Sequence, residues 1–393
     1  MSPNTILHLY ERLETLVRRL PGPLQKVVTE ELSPVKQIFL AQRPARLVLL
    51  GQPKAPAERL FSALVNSQLD ISHLDGPSAW RLFHHRGVGG FRLLDGRRLT
   101  DTSHSWRELE SALGEEKPDL LLFLADGTSD FDLALECEQA SRVVELCRTR
   151  YETAVPMIGI LDLPKHLDPS KRSERLLQLR AWLDGQAQFR PNFVRAIAVS
   201  SFARFRQDGT LDTERDDREN IDALAELLVR ELPEDAQVDL ARLFRVGSVQ
   251  RATAQRLVRS ISAVAAAVGA QPIPLADFPI LTGLQLAMVS GVMYLGGREL
   301  SLRSAAEFCA ALGSNIGLGM VFREGARAAV KILPGWGNVV SGGIAAGGTY
   351  AIGRAAIGFF IEGKTLAEAR GMLKTFRRKK GSVPVDQGRG SRR

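Results

Sequence analysis

The residues Arg46–Asn66, RLVLLGQPKAPAERLFSALVN, hold the pattern with the most chemical content. Leu47–Leu50 reads as a buried strand. A loop opened by Gly51 follows, then a helix carrying Leu60, Phe61 and Leu64. A strand, a glycine-opened loop and a helix form the cradle that wraps nucleotide phosphates when the loop reads Gly, four residues, Gly-Lys-Ser/Thr. Gly51 fills the first position. Pro56, Ala57 and Glu58 fill the last three. Pro56 has no N–H to give a phosphate. Ala57 carries no ammonium for the β- and γ-phosphates. Glu58 puts a carboxylate where a Mg²⁺-binding hydroxyl belongs. The frame is kept and the chemistry is replaced. Lys54, earlier in the loop, is the one cation that could lean towards a phosphate, against the plainer reading of an exposed loop lysine.

The elements that must position this loop follow in order. Trp80–His85 and Phe91–Leu94 are strand-like runs joined by Arg86–Gly90, a hairpin signal closed by Asp95-Gly96. Asp119–Ala125, DLLLFLA, is a continuous apolar run and reads as a central parallel strand. Phe131–Arg150 is helical, Met157–Leu161 and Val194–Val199 are buried strands around the helix Lys171–Leu183, and Ile221–Leu232 closes the unit. This alternation predicts an α/β fold with a mostly parallel sheet and flanking helices. Before it, Asn4–Arg19 and Leu24–Leu40 are amphipathic helices separated by Pro21-Gly22-Pro23, expected to pack on the unit that begins at Arg46.

From Arg46 to about Leu232, this order and spacing resembles the G domain of Era-like small GTPases, members of the P-loop GTPase superfamily. Gly51 and the helix LFSALVN carry the phosphate-loop frame. Asp95 stands at the Asp of the family's Asp-x-x-Gly, with Arg98 at its Gly. Leu161-Asp162-Leu163-Pro164 follows the fourth strand, where the family reads guanine with Asn/Thr-Lys-x-Asp. Ser200-Ser201 stands where the family has Ser-Ala. The resemblance implies nucleotide positions at Gly51, Lys54, Asp95 and Ser200. It also implies what is gone: Ser67–Arg92 holds no threonine for Mg²⁺. Phosphoryl transfer works by positioning and charge neutralisation through the loop lysine and Mg²⁺. With both replaced, no catalytic residue and no cofactor is expected. GTP or GDP with Mg²⁺ belongs to the alternative of a slow GTPase.

His84 and His85 are adjacent on a strand and point to opposite faces, so they do not chelate one ion. Asp212–Asp217 reads as a solvated acidic loop. The three cysteines, Cys137, Cys147 and Cys309, are scattered and suit a reducing compartment. The first residues, Met1–Tyr10, lack the pattern of a secretory signal. Eight cations from Lys374 to Arg393 face only Asp386, so nearly all of the net charge of +8 belongs to the tail rather than to a domain surface. A short basic tail can touch anionic lipid or nucleic acid, but its plainer reading is a solvated end, and no nucleic-acid partner is expected.

The C-terminal half is helical in pattern. Ala236–Ala267 reads as one long helix. Phe278–Gly297 and Ile332–Gly353 are uncharged runs of 20 and 22 residues, long enough to span a bilayer. Gly343, Gly347, Ala351 and Ala355 recur every fourth residue and leave one helix face bare for close approach. The cations between the runs, Arg298, Arg303, Arg323, Arg327 and Lys331, oppose a membrane hairpin and favour core helices of a compact domain, with or without peripheral membrane contact. The segments PIPLADFPILTGLQLAMVSGVMYLGGREL and LPGWGNVVSGGIAAGGTYAIGRAAIGFFIEG are similar to the YcjF-type domain of unknown function, which follows Era-like G domains in bacteria and is linked to membrane association. The expected organisation is a helical arm (1–45), a degenerate GTPase-like domain (46–233), a linking helix (234–271), an all-α Gly-rich, YcjF-type domain (272–363) and a basic tail (364–393). The expected function is a pseudo-GTPase scaffold with protein partners and self-association, cytoplasmic or at the inner membrane. A membrane-inserted helical assembly is a further alternative.

Overall fold

A computed structural model describes residues 22, 25–26, 29–30, 42–71, 79–85, 88–97, 99, 103–129, 131–270, 277–313 and 337–380. The N-terminal helices lie almost wholly outside these residues. So do Arg98, the Pro-rich stretch 271–276 before the first uncharged run, 314–336 and the tail beyond Lys380. The chain divides into two compact bodies, Gln42–Val249 and the remainder.

The first body is built on a six-stranded sheet. Its strands are β1 (Ala45–Gly51), β2 (Arg81–His85), β3 (Gly89–Asp95), β4 (Leu120–Asp126), β5 (Met157–Asp162) and β6 (Phe193–Val199). The order is β2-β3-β1-β4-β5-β6. Only β2 is antiparallel, paired in the expected hairpin with Phe83 opposite Phe91. The other strands run parallel. This is a mixed, mostly parallel sheet flanked by helices, the α/β layout that the alternation in the sequence predicts.

Both faces of the sheet are covered, which explains why its central strands are apolar without interruption. Alternate residues of β1 feed two different cores. Leu47 and Leu49 join α1 (Ala57–Val65), through Leu60, Phe61 and Leu64. Val48 and Leu50 join α2 (Ser103–Glu115), α3 (Ala134–Tyr151) and α4 (Pro169–Gly185), through Leu109, Val144 and Leu183. α2 had no counterpart in the sequence reading, although Trp106, Leu109 and Leu113 mark one of its faces at helical spacing. α4 starts where its sequence dictates: Asp168 accepts from the N–H groups of Ser170 and Lys171, and Pro169 sits where a missing N–H costs nothing.

The single helix expected over Ala236–Ala267 is two. After α5 (Ile221–Glu231), α6 spans Glu234–Leu243 and α7 spans Gly247–Gly269. Leu240, Ala241 and Leu243 of α6 are buried in the sheet's own core. The break is a Schellman turn: Val246 N–H donates to the Ala241 carbonyl and Arg245 N–H to that of Arg242, with Arg245 left-handed at φ 56°.

The second body is helical, as expected. It contains α8 (Asp277–Leu295), α9 (Leu302–Gly313), α10 (Gly337–Phe360) and α11 (Leu366–Lys380). Thr365 and Glu368 form a reciprocal capping box that starts α11. Arg370 then donates to the Ala311 carbonyl at the end of α9. Gln285 of α8 donates to the buried Thr349 hydroxyl of α10. Among the described residues, no helix is long and apolar enough to cross a membrane.

Candidate functional site at the carboxyl edge of the sheet

Gly51, Asp95, Asp126 and Asp162 end four parallel strands, and Ser200 follows a fifth, so they share one edge of the sheet. Carboxyl edges of parallel strands are where α/β folds place ligands. Gly51 has φ +99°, and a Cβ there would lie 2.2 Å from the Leu124 carbonyl oxygen. Only glycine allows β1 to end this close to β4. The next residue, Gln52, is clamped to β4 twice. Its N–H donates to the Leu124 carbonyl at 2.9 Å, and its Oε1 accepts from Asp126 N–H at 2.7 Å.

The loop that follows turns its donors on itself. Ala55 N–H donates to the Gln52 carbonyl, and Ala57 N–H to the Ala55 carbonyl. Pro53 and Pro56 have none to give. A phosphate cradle needs convergent backbone N–H groups, and those of Gln52, Ala55 and Ala57 are already bonded inside the protein. Lys54 and Glu58 are exposed, and neither joins the clusters described next.

Two buried carboxylates at this edge are each met by an arginine. Asp95, at the end of β3, takes Arg97 side-on: Nε to Oδ1 at 2.9 Å and Nη2 to Oδ2 at 2.8 Å. Arg97 N–H also donates to Oδ1. The remaining nitrogen, Nη1, donates to the Ala55 carbonyl at 2.7 Å. Both side chains are buried, at 1% and 7% exposure. A buried pair is stable only when both partners have their hydrogen bonds completed, and this one has. It ties the loop before α1 to the end of β3.

The second cluster surrounds Asp162, which is fully buried at the end of β5. Oδ1 accepts from Ser201 N–H at 2.9 Å, and Oδ2 from the Ser201 hydroxyl. Arg59, from the first turn of α1, donates to Oδ2 at 2.7 Å through Nη2 and to the Ser201 hydroxyl at 2.9 Å through Nε. Its guanidinium lies 3.7 Å above the Phe202 ring, a cation–π arrangement worth about 0.5–2 kcal/mol.

Of the positions read from sequence, Gly51 and Asp95 sit beside the loop. Ser200 is turned elsewhere: its hydroxyl donates to the Asp217 carbonyl, and Ser201 faces Asp162 in its place. The acidic loop is more than a solvated segment. Arg218 grips Asp216 through Nε and Nη2 and reaches the Ala63 carbonyl and the Asn66 side chain at the end of α1. That contact holds the Asp216 carboxyl below its usual range. Arg59 and Arg97, which complete the clusters, were missed in the sequence. An arginine in a helix's first turn and one beside an acid give no signal of where their long side chains end.

Comparison with known proteins adds the following. No protein-family model and no curated protein matches the chain, so the Era-like subtype and the YcjF-type domain rest on the quoted residues alone. Solved structures that match include Toc33 from Arabidopsis thaliana. A dimerization-deficient mutant is 14% identical, covers 57% of this chain and 95% of its own, with TM-score 0.32. The complex with Mg²⁺ and GMPPNP is 15% identical, covers 58% and 96%, with TM-score 0.30. The complex with GDP and Mg²⁺ is 16% identical, covers 58% and 96%, with TM-score 0.32. Likeness at this level carries no information about ligand or activity.

Proposed function

We propose that this chain is a GTPase-like protein without nucleotide hydrolysis, and that its α/β body serves as a binding or scaffolding module for protein partners. One observation carries the reading. Asp95, which the resemblance would turn towards a metal–nucleotide, has both oxygens held by Arg97, whose third nitrogen holds the Ala55 carbonyl. The Arg97 guanidinium thus joins the Asp95 carboxylate to the loop before α1. The inward-bonded N–H groups of Gln52, Ala55 and Ala57 support it further. Positioning and neutralisation of a triphosphate need free donors and free positive charge, and the described loop directs neither outward except at Lys54.

The test is titration of the purified full chain with fluorescent GTP, GDP and ATP in the presence of Mg²⁺, followed by phosphate release. The expected result is no saturable binding and no turnover. Saturable micromolar binding with turnover overturns the proposal in favour of a working GTPase. The helical body and the basic tail extend the reading to peripheral contact with an anionic inner-membrane surface. Sedimentation with phosphatidylglycerol vesicles, but not with phosphatidylcholine ones, is the result expected of that contact.

A further inference from the structure

A cleft of about 500 Å³ opens between α2 and α3, on the face of the sheet opposite α1. Trp106 and Glu110 of α2 line one side of it, and Glu138, Arg142 and Glu145 of α3 line the other. Trp106 is buried and belongs to the core beneath. Arg142 comes four residues after Glu138 and three before Glu145, the spacing at which opposite charges meet on a helix. It pairs with neither. Its guanidinium lies over Trp106, 3.9 Å from the ring centre. Contact with an indole face outweighs an exposed ion pair, which side-chain entropy and salt both weaken. Glu145 turns instead to Arg148, 2.7 Å away. Among the described residues, the carboxylates of Glu110 and Glu138 and the guanidinium N–H groups of Arg142 then have no hydrogen-bond or ion-pair partner. A guanidinium held by its face on a ring keeps the donors along its edges open, and two of them can take one carboxylate.

We propose that this cleft binds a dibasic amino acid, such as lysine, arginine or ornithine. The class follows from the charges. The cleft offers one open cation and two open carboxylates, and a dibasic amino acid carries the complement, one carboxylate and two cations. Its carboxylate meets Arg142, and its α-ammonium and side-chain cation meet Glu110 and Glu138. A diamine leaves the Arg142 donors unmatched and brings like charge beside them. A neutral amino acid leaves one glutamate unmatched. The volume lies within the range of about 300–1,000 Å³ typical of small-ligand sites. Because the cleft is on the other side of the sheet from α1, this binding goes beyond the scaffold reading and does not depend on it.

The experiment is calorimetric titration of the full wild-type chain, at fixed ionic strength, with L-lysine, L-arginine, cadaverine and L-norleucine. Saturable binding of lysine and arginine is expected. Cadaverine lacks the carboxylate and norleucine lacks the side-chain cation. Each should bind at least about tenfold more weakly than lysine, the least expected when a hydrogen bond to a charged group is lost. Glu110→Gln and Glu138→Gln should each weaken lysine by a similar factor. Arg142→Met should weaken lysine and remove its advantage over cadaverine. No saturable binding of lysine or arginine to wild type overturns the proposal, and so does cadaverine binding as tightly as lysine. Lysine binding that is unchanged in all three variants places the ligand elsewhere and overturns it too. The wild-type ligand series needs no substitution, so it decides the matter even where a variant does not fold. Failure here leaves the proposed function standing, and nucleotide turnover by wild type leaves this cleft untouched.

Discussion

Arg97 meets Asp95, two residues before it in the chain, side-on: Nε is 2.9 Å from Oδ1 and Nη2 is 2.8 Å from Oδ2, with both side chains buried. The pair closes a strand end by local means. Because its third nitrogen reaches the Ala55 carbonyl, the same arginine also fixes the loop before α1. The Asp95 carboxylate and the Ala55 carbonyl are therefore both satisfied from within the protein.

Arg97→Met strands a buried carboxylate and is expected to destabilise the α/β body by about 3–5 kcal/mol. Asp95→Leu combined with Arg97→Met should recover part of this, because no charge is then left unpaired. Urea unfolding followed by tryptophan fluorescence reads it, since Trp80, Trp106 and Trp182 all lie in this body. Lys54→Ala, at an exposed position, should move stability by no more than about 0.5 kcal/mol. A double variant as unstable as the single one contradicts the role given to the pair.

Gly51→Ala tests the junction of β1 and the loop. The new methyl group would sit 2.2 Å from the Leu124 carbonyl oxygen, at a φ of +99° that L side chains rarely adopt. Strain of this kind costs about 1–3 kcal/mol. Displacing Leu124 also weakens the Gln52 N–H bond to its carbonyl. A loss of at least about 2 kcal/mol in the urea transition is expected, and an unchanged midpoint contradicts the close approach.

The sheet was legible because its strands are buried on both faces. Leu120–Ala125 has no polar residue to interrupt it, and both core faces claim alternate members of it. The break between α6 and α7 was not legible, because the left-handed residue of its Schellman turn is Arg245, where glycine would have announced it. At the site, Gly51 and Asp95 were readable from their place in an ordered motif. Arg59 and Arg97 were not, because an arginine's reach exceeds the spacing that a helix or turn imposes on its Cα. The departures from the phosphate-loop pattern at Pro56, Ala57 and Glu58 are readable in the sequence. The contacts of Arg59 with Asp162 and of Arg97 with Asp95 appear only in the folded chain.

The Asp216–Arg218 contact predicts an acid dependence. Arg218, through its side-chain hydrogen bonds, holds the Asp216 carboxyl below the ordinary 3.8. A folded-state value below the unfolded one means that the unfolded chain binds this proton more readily. The contribution to stability is therefore complete above the unfolded value and disappears as pH falls from about 5 towards and through the lower folded value. Asp216→Asn should lower stability at pH 7 and flatten the acid limb of a stability–pH profile. Equal slopes for the variant and wild type between about pH 5 and 2 would show that the contact does not report through this carboxyl.

Two glycines of α10 separate close packing from mere smallness. The four-residue repeat in the sequence starts at Gly343, but a Cβ there would have nothing within 4 Å. At Gly353, outside that repeat, a Cβ would lie 2.5 Å from both Val258 methyl groups and 3.0 Å from the Met288 sulfur. Of these two glycines, only Gly353 lies at a close approach. Gly343→Ala relieves backbone entropy in a helix and should stabilise by up to about 1 kcal/mol. Gly353→Ala receives the same backbone gain but forces a β-branched neighbour to move, an overpacking cost of about 1–3 kcal/mol. Thermal unfolding followed by far-ultraviolet circular dichroism should therefore shift upward for the first and downward for the second. Equal upward shifts would mean that α7 and α8 yield at Gly353 without cost.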